Sequence, residues 1–197
     1  MEDIFKHDVV LVREKVRYFK AANAYELFDE QGTKIGEVLE DVPGFFKKLL
    51  KFTQWKTMLS FTVNFFDLSG NRVLGIHRPF TFFVSKITVS DANDSVLGMY
   101  RQKFKVLKPE FHLMDPSGNQ IATMKGDWKG WNFSLEDSAG VELAKVTKKW
   151  AGLAKEFFTS ADNYVISISR PEIPEDMRKL ILAAGIGIDM ALKERGR

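Results

Sequence analysis

The chain repeats a phrase: an alternating apolar run, an Asp, a polar turn usually holding Gly, then another apolar run. It reads Tyr25-Glu-Leu-Phe-Asp29 before Gly32, and Phe61-Thr-Val-Asn-Phe-Phe-Asp67 before Gly70. The third copy, Lys86-Ile-Thr-Val-Ser-Asp91, ends at Asp94 with no glycine. The last two are Phe111-His-Leu-Met-Asp115 before Gly118 and Asn132-Phe-Ser-Leu-Glu-Asp137 before Gly140. Period-2 alternation puts Ile87 with Val89, and Phe111 with Leu113, on one face of a strand. An Asp that bonds its own turn, with Gly supplying a positive φ, closes a tight hairpin. Five hairpins predict ten strands. Val9–Val12 and Tyr164–Ile168 add a first and a last.

About twelve antiparallel strands curl or close rather than stay flat. A closed barrel of that size is too wide for its own side chains to fill. The filling is predicted near the end of the chain. From Leu180 to Ile188 no side chain is polar; Asp189 interrupts, then Met190, Ala191 and Leu192 resume. A helix that is apolar on every face belongs in a core or a membrane. A membrane span needs ~20 apolar residues, and this run is shorter and contains an Asp, so burial in the barrel is favoured. Asp189 is then expected to be a structural carboxylate near a barrel mouth. The predicted fold is mainly β: a closed antiparallel barrel of about twelve strands around a hydrophobic C-terminal helix. It is one domain over 1–197, with strands within 9–170 and the helix at 175–193.

The aspartates recur about every 24 residues, but the first step is longer by roughly 14. The excess falls at 43–59, which holds Lys47, Lys48, Lys51 and Lys56 and no acid. Its apolar residues pair at helical spacing. This predicts a short basic amphipathic helix inserted at one mouth. Phe45, Phe46, Lys47, Lys48, Lys51, Trp55 and Lys56 are the candidate lipid-binding residues, because acyl-chain burial and attraction to anionic headgroups need this combination. The competing reading is a helix that only caps the barrel. Lys125, Lys129, Lys148 and Lys149 around Trp128, Trp131 and Trp150 suggest headgroup or base contacts, against the plainer reading that the tryptophans are core or rim residues.

Composition adds exclusions. There is no Cys among 197 residues, so disulfides, thiolate metal sites and a cysteine nucleophile are ruled out. Seventeen Phe suit an aromatic β core. The net charge of +3 is mild and gives no general argument for nucleic acid, although the basic insert is a possible phosphate site. His7, His77 and His112 have no ligand spacing, and His112 is expected to face away from Phe111 and Leu113. No nucleophile elbow or phosphate-cradling loop occurs. Each repeated Asp has a sufficient turn explanation. No catalytic and no metal residue is predicted, and enzymatic activity is not expected. The first residues lack the pattern of a signal peptide, so an intracellular location is expected.

Several phrases resemble the phospholipid scramblase family and its LURP-one-related cousins. They are Lys86–Asp91, Leu97-Gly98 before Arg101-Gln102-Lys103-Phe104, Lys125-Gly126-Asp127-Trp128 before Asn132-Phe133, Lys148-Lys149-Trp150, and Ala161–Tyr164. Leu182-Ala183-Ala184 before Ile188-Asp189-Met190 completes the set, which covers roughly the C-terminal two-thirds. The resemblance implies a tubby-like barrel with a central helix, and a protein that binds lipid or a membrane surface, peripherally, and aids transbilayer phospholipid movement. It also implies calcium. Animal members carry an Asp-Ala-Asp-Asn-type phrase before the final helix, with an acid-x-acid element downstream. Here Ser160 replaces the first acid of Ser160-Ala161-Asp162-Asn163, and Glu172, Glu175 and Asp176 do not align cleanly. The calcium motif is degraded, and no cofactor is predicted. The alternative function is a soluble, non-enzymatic module on the same scaffold, binding a protein, a phosphoinositide or nucleic acid.

Overall fold

A computed structural model describes residues 4–15, 23–41, 60–80, 86–103, 110–127, 131–148 and 163–196. The strands are β1 Val9–Glu14, β2 Ala24–Phe28, β3 Lys34–Glu40, β4 Phe61–Phe66, β5 Arg72–Arg78 and β6 Lys86–Asp91. Then follow β7 Val96–Lys103, β8 Glu110–Met114, β9 Gln120–Asp127, β10 Asn132–Asp137, β11 Glu142–Thr147 and β12 Asn163–Ile168. The helix α1 spans Glu175–Gly196, and a 3-10 turn spans Ile4–Lys6. Every strand pairs antiparallel with its neighbours in sequence, and β12 closes on β1. The mainly β, closed twelve-stranded barrel around a C-terminal helix is as expected from the alternation.

The five predicted hairpins are present and nearly identical. In each, the Asp amide bonds the carbonyl four residues on, and its carbonyl accepts from the residue three on, as for Asp67 with Asn71 and Gly70. In four of them the carboxylate is recorded accepting two further backbone N–H groups, two and four residues on. The residue three on has positive φ: Gly32, Gly70, Gly118 and Gly140 at 79–88°, and Asp94 at 63°. Each hairpin also carries a register shift that leaves one residue on the returning strand extra. That residue is Ile35, Val73, Leu97, Ile121 or Leu143, six after the Asp. It is always apolar and packs in or against the core. These are β-bulges, which bend and twist the strand as a barrel end requires.

Every residue of α1 from Leu180 to Met190 is buried, so the helix is enclosed on all faces. It enters near the turns. Leu180 lies against Gly98, and its carbonyl accepts the Tyr100 hydroxyl at 3.0 Å. Gly185 sits against Ile166, and Gly187 against Ile87 and Ile76, nearer the opposite end. Ile4 and Phe5 of the 3-10 turn, 2% and 6% exposed, pack into the core at the entry end. Arg178 fastens them there with bonds to the Phe5 carbonyl at 3.4 Å and the Asp8 carboxylate at 2.8 Å. No described helix is long and apolar enough to cross a membrane.

Candidate functional site

A meander barrel has two unlike rims. The five Asp turns, the 3-10 turn and the start of α1 share one, the turn rim. The other connections, from β1–β2 to β11–β12, all join strand ends at the opposite link rim, toward which α1 runs. The predicted residues Phe45, Phe46, Lys47, Lys48, Lys51, Trp55 and Lys56 lie outside the described residues. The chain leaves β3 through Asp41 and re-enters β4 from Ser60, both on the link rim. Asp41 is fixed there: its amide bonds the Thr62 carbonyl at 2.9 Å, and its carboxylate accepts from Asn64 at 3.1 Å. Trp128, Lys129, Lys149 and Trp150 also lie outside the described residues.

The described link rim combines exposed charges with buried polar side chains. Glu40, Arg78, Glu110, Thr147 and Asn163 each begin or end a strand there, and all are buried. Glu40 accepts from the amide and side chain of Asn23, both at 2.8 Å. The Arg78 guanidinium lies 4.6 Å above the Phe61 ring. Glu110 meets His112 at 2.9 Å, an outer-face contact consistent with the expected outward His112. The alternation carried a signal for two of these: Arg78 continues the inward phase of Leu74 and Ile76, and Glu40 that of Val38. A charge in an inward phase at a strand end marks a rim.

Trp131, at φ 47°, precedes β10 on the link rim and packs, partly buried, against the core. Its ring meets Tyr164 at 5.4 Å and Phe133 edge-on at 5.9 Å, while the Lys148 ammonium sits 4.7 Å above it. Trp131 is thus a rim residue with a cation on its outer face. Below it, Asp189 is fully buried. Burial pushes the Tyr25 and Tyr164 hydroxyls well above the usual tyrosine range, and the nearby Asp189 carboxylate adds to this in both.

Among the described residues no group of three His, Asp or Glu could hold a metal ion. Of the stretch that resembles a calcium segment, Ser160, Ala161 and Asp162 lie outside the described residues. Asn163 begins β12 on the link rim, whereas Glu172, Glu175 and Asp176 follow it past the turn rim, ~20 Å away at ~3.3 Å per residue. Glu172 pairs with Arg170 at 2.7 Å, and Glu175 with Lys179 at 2.6 Å. Oxygen ligands must converge on one ion, and among the described residues Asn163 does not come together with Glu172, Glu175 and Asp176.

A known protein shows the same architecture. A solved structure from Arabidopsis thaliana superposes with TM-score 0.51 over 92% of this chain and 91% of that one, at 14% identity, and so shares the tubby-like fold. A phospholipid scramblase family protein of Schizosaccharomyces pombe is 24% identical over 98% of this chain, which spans 56% of that relative's length. Human phospholipid scramblase family member 5 is 21% identical over 95% of this chain and 73% of its own. The Saccharomyces cerevisiae altered inheritance rate of mitochondria protein 25 is 23% identical over 94% of this chain and 70% of its own. The model of the Scramblase family matches residues 4–195, so the chain belongs to the scramblase family.

Proposed function

We propose that this chain is a non-enzymatic, lipid-binding barrel that works at the surface of an intracellular membrane and assists phospholipid movement from there. Membership of the scramblase family over nearly the whole chain carries the reading. The enclosure of α1 sets its form. With Leu180 to Met190 buried on every face, lipid has to be met from outside the barrel. The basic, aromatic insert is the contact this reading assigns: Phe45, Phe46 and Trp55 for the acyl boundary, Lys47, Lys48, Lys51 and Lys56 for anionic headgroups. It assigns calcium no part, since Ser160 replaces the first acid of the motif and Glu172, Glu175 and Asp176 do not align with its second element.

Flotation with phosphatidylserine-containing liposomes tests the binding. Wild-type protein is expected to float, and Lys47→Glu with Lys51→Glu to remain at the bottom. A mutant that floats at the wild-type level removes the insert from the reading. Reconstituted vesicles holding a fluorescent lipid, quenched from outside with and without calcium, test movement. A rate equal to that of empty vesicles would leave a lipid-binding module only.

A further inference from the structure

The described charges are sorted along the barrel axis. The turn rim carries Asp29, Glu30, Asp67, Asp91, Asp94, Asp115 and Asp137. Hydrogen bonds from Asn71 and Asn119 hold the Asp67 and Asp115 carboxyls below the usual range, so both stay charged. Most cations on this rim are paired, Arg72 with Asp94, Lys34 with Glu37, Arg170 with Glu172, Arg178 with Asp8 and Lys179 with Glu175, while Lys6 is exposed. Toward the link rim the exposed described charges are mostly basic, with Lys86, Arg101, Lys103 and Lys125 against Asp41 and Asp127; Lys103 and Lys125 pair with Glu110 and Glu136, and Lys148 rides on Trp131. Phe80, 50% exposed, stands on that rim as well.

We propose that the barrel docks end-on, with the link rim against the headgroups of an anionic bilayer and the turn rim facing water. This rests on the lipid-binding reading above and adds its orientation. A strand of six residues separates the rims by ~20 Å at ~3.3 Å per residue. That exceeds the Debye length of ~8 Å at physiological salt. An approaching surface therefore feels one rim at a time, attracted by one and repelled by the other. Leu68, Val96 and Val141 are exposed on the turn rim, but each lies within four residues of a turn aspartate. A lipid surface that reached them would have to meet those carboxylates.

The absence of cysteine makes the test direct, because one introduced thiol is the only label site. An environment-sensitive dye is placed on Phe80→Cys or Asp127→Cys at the link rim, and on Ser69→Cys at the turn rim. Vesicles contain phosphatidylserine, phosphatidylcholine and a nitroxide-bearing lipid. Dyes at 80 and 127 are expected to be quenched several-fold more than the dye at 69, and the difference to vanish in pure phosphatidylcholine. Flotation of all three proteins with equal quenching, or stronger quenching at 69, overturns the orientation while leaving lipid binding intact. Failure of all three and of the unlabelled wild type to float overturns the lipid reading and the orientation together.

Discussion

The Tyr100 hydroxyl donates to the backbone carbonyl of Leu180 at 3.0 Å, joining β7 to the first turns of the central helix across eighty residues of sequence. Both groups are buried, and Leu180 packs on Gly98 of the same strand. The bond fixes how deep the helix sits, because a carbonyl on a bare helix face would slide past any apolar wall. Tyr100→Phe keeps the ring and removes the donor. It is expected to lower stability by about 1 kcal/mol, read as a shift in the urea midpoint with an unchanged slope.

The helix is also the barrel's filling, so removing it is a different order of change. Deletion from Asp176 onward is expected to give insoluble or unfolded protein. Ile186→Ala is the graded version. Its side chain is fully buried, and the cavity is expected to cost ~2–5 kcal/mol. A stable, cooperatively folding truncation would show that the strands close without the helix.

The sequence made both partners of this arrangement visible, but not their register. Alternation and the Asp-x-x-Gly turns mark all five hairpins, because those signals act within about ten residues. The bulges were not read from the sequence, although each sits at an apolar residue six after its Asp. The link rim was much less legible. Trp131 meets Tyr164 across thirty-three positions, through strands that are neighbours only once the barrel has closed. No local pattern encodes such a contact. The basic insert was legible as charge and spacing alone, which is composition and not placement.

Gly126 shows a family phrase turned into a steric requirement. In β9 it pairs with Phe133 of β10, and a Cβ there would lie 2.7 Å from the Phe133 Cα and closer still to the Asn132 carbonyl oxygen. These are backbone atoms in a paired strand and cannot swing aside. Gly126→Ala is expected to cost about 1–3 kcal/mol, against a near-neutral effect for a substitution at exposed Lys125, as long as its pairing with Glu136 is kept by Arg. A tolerated alanine would mean that β9 and β10 separate at low cost.

Asp94 is the exception among the five turns. At φ 63° it occupies a position where the other copies use glycine. The left-handed conformation costs a non-glycine residue about 1–2 kcal/mol, less for Asp than for most. Against this stands a 2.7 Å ion pair with Arg72, in which the Asp94 side chain is 78% exposed and the gain is small. Asp94→Gly is therefore expected to stabilise modestly. Asp94→Ala loses the pair and keeps the strain, and is expected to destabilise. Thermal midpoints in that order, Gly above wild type above Ala, check the balance.

Three buried tyrosines set an alkaline limit on the fold. Burial raises the hydroxyls of Tyr25, Tyr100 and Tyr164 well above 10.0, the ordinary value. Their folded values lie above their unfolded ones, so they have no effect on stability below pH ~10. Above it the unfolded chain releases protons that the folded chain retains, and stability falls by about 1.4 kcal/mol per pH unit for each. Absorbance of tyrosinate near 295 nm should then rise for these residues only with unfolding, in one step with the loss of circular dichroism. Tyr164→Phe should make the decline above pH ~10 shallower by one tyrosine's share. A smooth titration of all three ahead of unfolding would show that water reaches these hydroxyls while the barrel is still closed.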